Sequence, residues 1–324
     1  MTSEKMVKNL LKWCHEAFPN LLNVGIGNEK KTLLHLASEE DYIDIVKELI
    51  TMGADVNAQD SLSQTPLSLV ARVDKPETMK ILLENGANVN IPDNHKFTPL
   101  HYTCGTGYLE GISMLLEKGA NLEAYNEASC SPLGVALSFE QKDVCERLLE
   151  KEPTLLNKIV NTELGDYPIH MASKRQDPDI FQMLLQKGSY VTLKNKEGFS
   201  PIHLAAREGN LETIKVLIDR QSNVVKDKTK NGQTPLHIGI ECNKLRVVSE
   251  LLKHDIDVNV HDNQKSTPLH IACKNGDIQI VKSLIEKNAS VNFKDKNGHT
   301  PFHIAIKNKN PEIVKILAQK VTAI

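Results

Sequence analysis

The chain has 324 residues, 40% of them hydrophobic and 25% charged, with a net charge of −2. No apolar run approaches the ~18 residues that cross a bilayer, and the opening Met1-Thr2-Ser3-Glu4-Lys5 lacks the apolar core of a signal peptide, so a chain of the cytoplasm, or of the nucleus, is expected. The six cysteines (Cys14, Cys104, Cys130, Cys145, Cys242 and Cys273) form no Cys-x-x-Cys pair, which argues against a zinc site and a disulfide framework.

The first predicted element covers residues 5–18, where Val7, Leu10, Leu11 and Cys14 fall at helical spacing. It is followed by Pro19-Asn20-Leu21-Leu22-Asn23, an ending that returns as Pro153-Thr154-Leu155-Leu156-Asn157. Residues 1–27 are therefore expected to form a capping half-repeat, and residues 28–324 an array of nine repeats.

The array is announced by one phrase. Its copies begin at Thr32, Thr65, Thr98, Ser131, Tyr167, Ser200, Thr234, Thr267 and Thr300, most reading like Thr98-Pro99-Leu100-His101. The step is 33 residues, except for one of 36 after the fourth copy and one of 34 after the sixth. A fixed period of this length means a solenoid, whose usual task is to offer a long surface to a partner. Within one repeat, Thr98 before Pro99 is a helix start, because the hydroxyl caps free backbone N–H groups and proline fits the first helical position. Gly105, Thr106 and Gly107 end that helix after about two turns. Leu109, Ile112, Leu115 and Leu116 then mark the apolar stripe of a second helix. The polar segment before the next phrase, as in Asn90-Ile91-Pro92-Asp93-Asn94, suits an extended hairpin. Helices this short are marginal alone and must bury their stripes against the next pair.

Two joints break the rule. Glu152 and Gln221 stand where other repeats close on glycine, or on Asp255 and Asn288, residue types that tolerate the left-handed conformation, and each of the two is followed by a lengthened step. The segment from Glu152 to Asp166 is expected to be a long, mobile hairpin and a hinge, with a rigid, merely longer finger as the alternative. The array ends past Ile313–Leu317, on the second helix of repeat 9, with Lys315, Gln319 and Lys320 exposed.

The Thr-Pro-Leu-His phrase, the glycines between helices (Gly107, Gly209, Gly276) and endings such as Gly53-Ala54-Asp55-Val56-Asn57 resemble the ankyrin repeat over roughly residues 28–320. The resemblance implies an all-α solenoid of stacked antiparallel helix pairs with projecting β-hairpin loops. It implies a non-enzymatic scaffold or adaptor that binds a partner protein through hairpin tips and concave inner helices. It also makes certain slots solvent-facing, and large side chains there become candidate partner contacts. These are Leu62, Val73, His95, Phe97, Phe139, Leu164 and Phe199 in repeats 2–6, an apolar docking groove. Repeats 7–9 offer polar and basic groups instead, among them Lys274, Lys296, His299 and Lys307, suited to an acidic partner. In animal ankyrin arrays, asparagines such as Asn57 and Asn259 can be hydroxylated; hairpin hydrogen bonding is the plainer role for both.

Seven phrases carry histidine (His35, His101, His170, His203, His237, His270 and His303), which invites a metal reading. Adjacent copies should lie about 10 Å apart, whereas zinc needs its ligands ~2 Å from one point. A structural role is expected, with hydrogen bonds to each ring's own turn and to the neighbouring repeat. Ser68 and Gly134 stand in the other two phrases before the last, so repeats 2 and 4 are expected to be less rigid. Gly25-Ile26-Gly27 begins like a dinucleotide loop but lacks a third glycine and a strand–helix unit, and no catalytic signature is present. No catalytic residue, metal or cofactor is assigned.

Charge is uneven. Residues 1–150 hold 13 basic and 22 acidic residues, a net −9; residues 151–324 hold 26 and 19, a net +7. A monomer is expected, with head-to-tail association open to it through unlike ends. The scarcity of arginine (6 against 33 lysines) and the lack of aromatics among the lysines argue against nucleic acid as the partner. A regulatory or effector subunit that recruits a host protein or an enzyme uses the same binding chemistry and stays open as the alternative.

Overall fold

The computed structural model describes residues 19–175 and 178–321. The helix expected at residues 5–18 lies outside the described residues. The cap's described part contains the 3-10 helix Pro19–Asn23.

Eighteen α-helices follow among the described residues, two per repeat. The first helices are α1 (Leu33–Glu39), α3 (Pro66–Val73), α5 (Pro99–Thr106), α7 (Pro132–Ser138), α9 (Pro168–Ser173), α11 (Pro201–Glu208), α13 (Pro235–Glu241), α15 (Pro268–Asn275) and α17 (Pro301–Lys307). Their partners are α2 (Ile43–Thr51), α4 (Pro76–Glu84), α6 (Leu109–Glu117), α8 (Lys142–Lys151), α10 (Asp179–Gln186), α12 (Leu211–Arg220), α14 (Leu245–Leu251), α16 (Ile278–Glu286) and α18 (Pro311–Val321). In repeats 2 to 9 the phrase's first residue is the N-cap and its proline the first helical residue, so the phrase reads directly into structure. Gly107 and Gly209 close α5 and α11 at φ 84°, a conformation that costs glycine little.

Contacts divide the chain into two compact units, Met1–Glu163 and Leu164–Ile324. Inside each unit a first helix packs on its own second helix and on the first helix of the next repeat. The core is built from the phrase's third residue and the stripe of the second helix. Leu34, Leu67, Leu100 and Leu133 are buried in one unit, and Ile169, Ile202, Leu236 and Leu269 in the other. Each contributes about 1.5–3 kcal/mol.

The two irregular joints share one solution. After α8 the chain forms a 3-10 helix, Pro153–Asn157, that buries Leu155 and Leu156; after α12 it forms another, Ser222–Lys226, that buries Val224 and Val225. The Pro-x-Leu-Leu-Asn ending shared by Pro19–Asn23 and Pro153–Asn157 is thus a 3-10 turn in both places. The segment expected as a long, mobile hairpin from Glu152 to Asp166 is folded into a 3-10 helix over its first part, and Val160 beyond it is buried as well. The boundary between the two units falls near the end of that segment.

Candidate partner-binding surface

The hairpins are held in register before any side chain is considered. In each, a backbone N–H four residues before the phrase, or five at the lengthened joint, donates to a carbonyl of the preceding hairpin. In the first unit these bonds are Ser61 to Glu29 (2.8 Å), Asn94 to Leu62 (2.9 Å), Glu127 to His95 (2.9 Å) and Thr162 to Ser129 (2.8 Å). In the second they are Lys196 to Leu164 (3.0 Å), Lys230 to Glu197 (3.2 Å), Asn263 to Asn231 (2.9 Å) and Lys296 to Gln264 (2.9 Å).

The histidines tie each repeat to the next. The N-cap N–H of Thr234 donates to Nδ1 of His237 at 3.2 Å, and Nε2 of the same ring faces the carbonyl of Ser266 at 3.3 Å. A backbone N–H can only donate and a carbonyl can only accept, so Nδ1 is bare and Nε2 carries the proton. The arrangement recurs from His35 to Gln64 (2.9 Å), His170 to Phe199 (3.0 Å) and His270 to His299 (3.1 Å); His101 and His203 each reach two carbonyls. Both nitrogens of these rings are committed, which leaves no lone pair for a metal. Burial holds His203 and His237 at about 4 against the pull of those carbonyls, and lowers His35, His101, His170 and His270 in the same direction.

Repeat 4 manages without a histidine. Its lengthened loop brings the carbonyl of Val160 to the N–H of Ser131 at 2.9 Å, the group a ring nitrogen takes elsewhere. A Cβ at Gly134 would lie 2.5 Å from that carbonyl, so glycine is what lets the loop approach. In repeat 2 the hydroxyl of Ser68 lies 3.1 Å from that of Thr65. The asparagines behave as hairpin residues. Asn57 donates to the carbonyl of Gly86 (3.2 Å) and accepts from the N–H of Asn88 (2.7 Å), and Asn259 accepts from Ser290 (2.7 Å).

On this frame the first unit presents Leu62 (50% exposed), Val73 (44%) and Phe139 (64%). The ladder sets the His95 hairpin beside that of Leu62, and His95 is exposed with Nδ1 2.7 Å from a Glu127 oxygen. Phe97 is half-buried. Its ring lies 5.6 Å from His101 and 5.4 Å from Tyr102. The Tyr102 hydroxyl donates to Asp93 and accepts from Gln64 (3.0 Å), and the Arg72 guanidinium stands 5.8 Å from the same ring. Burial and the Asp93 carboxylate push Tyr102 up to about 12, so it stays a neutral donor. Phe139 ends α7 and sits over Gly105, where a Cβ would be 3.7 Å from its ring.

The second unit presents Leu164 (38% exposed) and a half-buried Phe199. The Phe199 ring meets His203 edge-on at 6.0 Å and carries the Arg207 guanidinium at 5.4 Å. Lys274, Lys296 and Lys307 are exposed, and His299 is half-exposed with Nδ1 3.7 Å from Asp295. Tyr102, Arg72 and Arg207 belong to these surfaces but were not among the sequence candidates. Tyr102 occupies the slot four after the phrase's start, which pairs with the hairpin residue one before it. Tyr190 (63% exposed) and Phe293 (46%) also stand outside the slots chosen from sequence.

These units are solenoids of helix pairs, with their histidines spent on internal stitching and their large apolar side chains displayed at hairpins and helix ends. A family profile of ankyrin repeats matches residues 34–126, 67–163, 169–262 and 256–323. The chain belongs to the ankyrin repeat family. It is 28% identical over 232 residues to an ankyrin repeat protein of fowlpox virus, covering 70% of this chain and 49% of that protein. It is 29% identical over 130 residues to the nuclear factor NF-kappa-B p105 subunit of Gallus gallus, covering 39% of this chain and 13% of that one. It is 31% identical over 121 residues to a 26S proteasome regulatory subunit, p28, of Saccharomyces cerevisiae, covering 36% of this chain and 52% of that subunit. The matched segments thus span about half or less of these relatives. No described helix is long and apolar enough to cross a membrane.

Proposed function

We propose that this chain is a non-enzymatic scaffold or adaptor that binds a partner protein through its hairpin edge and the exposed ends of its first helices. The observation that carries this is the placement of large apolar groups. Phe139 (64% exposed) and Leu62 (50%) are displayed to solvent on a hydrogen-bonded frame. Aromatic side chains held ready among polar neighbours are the usual anchors of an interface. In the second unit the exposed Lys274, Lys296 and Lys307 favour an acidic partner. A role as a regulatory or effector subunit is supported by the proteasome regulatory subunit and the viral protein among the relatives, and it uses the same surface. The working compartment is the cytoplasm or nucleus.

The test is affinity capture from the source cell's lysate with the wild type beside a Leu62→Asp/Phe139→Asp variant. A protein retained by the first and lost by the second is expected, with unchanged far-UV circular dichroism. Equal retention by both would overturn the assignment of the anchors.

A further inference from the structure

In the second unit the hairpins carry lysines in a fixed register. The positions six and four before the phrase hold Lys194 and Lys196, Lys228 and Lys230, and Lys294 and Lys296, all exposed. The remaining hairpin has His261 and Asn263 there. In the first unit the hairpins of repeats 2–4 hold Gln59 and Ser61, Pro92 and Asn94, and Tyr125 and Glu127 at these positions. The residue between each pair turns inward. Asp295 Oδ1, for example, accepts from the N–H groups of Asn297 and His299 at 2.8 Å each. Its flanking lysines therefore face out. Asp262 is committed in the same way, to Gln264 and Ser266 at 2.8 Å each, and Asp227 accepts from the Ser200 hydroxyl at 3.1 Å. The inter-hairpin bonds of Lys196, Lys230 and Lys296 fix their backbone, so these lysines start from equivalent points on three of the four hairpins. The Lys194 ammonium reaches the carbonyl of Lys228 at 2.8 Å, which joins two hairpins into one edge.

We propose that this lysine edge binds an extended acidic polypeptide segment of the partner, running along the hairpins with a carboxylate at every third residue. The inference rests on the scaffold reading above and names the partner's chemistry. Stacked helices repeat about every 8–10 Å, and three residues of extended chain advance about 10 Å, so such a segment keeps step with the hairpins and meets a lysine pair at three of the four, with His261 and Asn263 at the other. Lysines are flexible point charges that suit single carboxylates; a nucleic acid edge would favour arginine forks and an aromatic per hairpin for base stacking. Asn195 and Thr229 stand between the lysines of the first two pairs instead.

The test uses the full chain and three labelled probes, read by fluorescence anisotropy at low and at physiological salt. One is a peptide with glutamate at every third residue, one has the same composition with its glutamates contiguous, and one is a single-stranded oligonucleotide of equal length. The wild type is expected to bind the spaced peptide best and more weakly as salt rises. A K228E/K230E/K294E/K296E variant should lose about tenfold or more, and its Lys→Gln counterpart an intermediate amount. Unchanged binding by the reversed variant, equal binding of the two peptides, or tighter binding of the oligonucleotide would each overturn the proposal. If the peptide ignores these lysines while Leu62→Asp/Phe139→Asp still releases a lysate protein, only this inference falls. If the peptide binds as expected while that variant releases nothing, the anchor assignment falls and the acidic edge stands.

Discussion

At the scale of single residues, the histidines show how one side chain can carry two bonds at once, accepting at one ring nitrogen and donating at the other. His237 caps its own helix and donates across to the next hairpin, fully buried. Truncating His237→Ala should cost about 2–3 kcal/mol, because a buried N–H and a buried carbonyl both lose a partner. His303→Ala is the internal comparison. It makes the capping bonds to Thr300 (3.3 and 2.7 Å) at an exposed position, so a loss nearer 1 kcal/mol is expected in urea titrations. Equal losses would mean the cross-repeat bond contributes nothing. The same burial sets an acid limit. These rings are neutral when folded and gain a proton when unfolded below about 6.5. Their contribution is full above pH 6.5 and falls as pH drops towards 4, the value at which His203 and His237 charge in the native state. Each of those two should tilt stability by about 1.4 kcal/mol per pH unit inside that window. Urea midpoints that stay flat from pH 6.5 to 4.5 would contradict this.

At the scale of elements, the lengthened joint after α8 replaces a side chain with backbone. The carbonyl of Val160 does the work of a ring nitrogen, and Gly134 makes room for it. Gly134→Ala should push that carbonyl off Ser131 and cost about 1–3 kcal/mol, although alanine is the better helix former. A neutral or stabilising result in denaturant titration would show that the loop can shift without loss. This joint also marks where the sequence could and could not be read. Thr-Pro-Leu-His named its helices because cap, proline and apolar face are local signals, and Pro-x-Leu-Leu-Asn flagged that two distant segments are alike. What a glycine meant in place of histidine was not legible, since it depends on the path of a loop some 26 residues later. The surface was legible in the same uneven way. Leu62 and Phe139 stand exposed as their slots imply, whereas Phe97 leans on Tyr102 and Phe199 on His203, neighbours outside the slots, and Phe199 also carries Arg207, a slot residue passed over because it is not apolar.

At the scale of the whole molecule, the two compact units differ in charge more than in fold. Met1–Glu163 holds 15 basic and 24 acidic residues, a net −9, and Leu164–Ile324 holds 24 and 17, a net +7. Unlike units of two molecules therefore attract, while like units repel, which favours encounters that set unlike units together, head-to-tail or antiparallel, over those that set like units together. The attraction acts between solvated surfaces, so its range is the Debye length, about 30 Å at 0.01 M salt and about 8 Å at 0.15 M. Sedimentation velocity should show a weight-average coefficient that rises with protein concentration at the lower salt and is independent of it at the higher. Reversing the four hairpin lysines, which changes the second unit from +7 to −1, should abolish the rise. A concentration dependence that survives physiological salt would point instead to an apolar contact between copies. None at either salt would mean that the separation of charge is too diffuse to drive association and serves the partner alone.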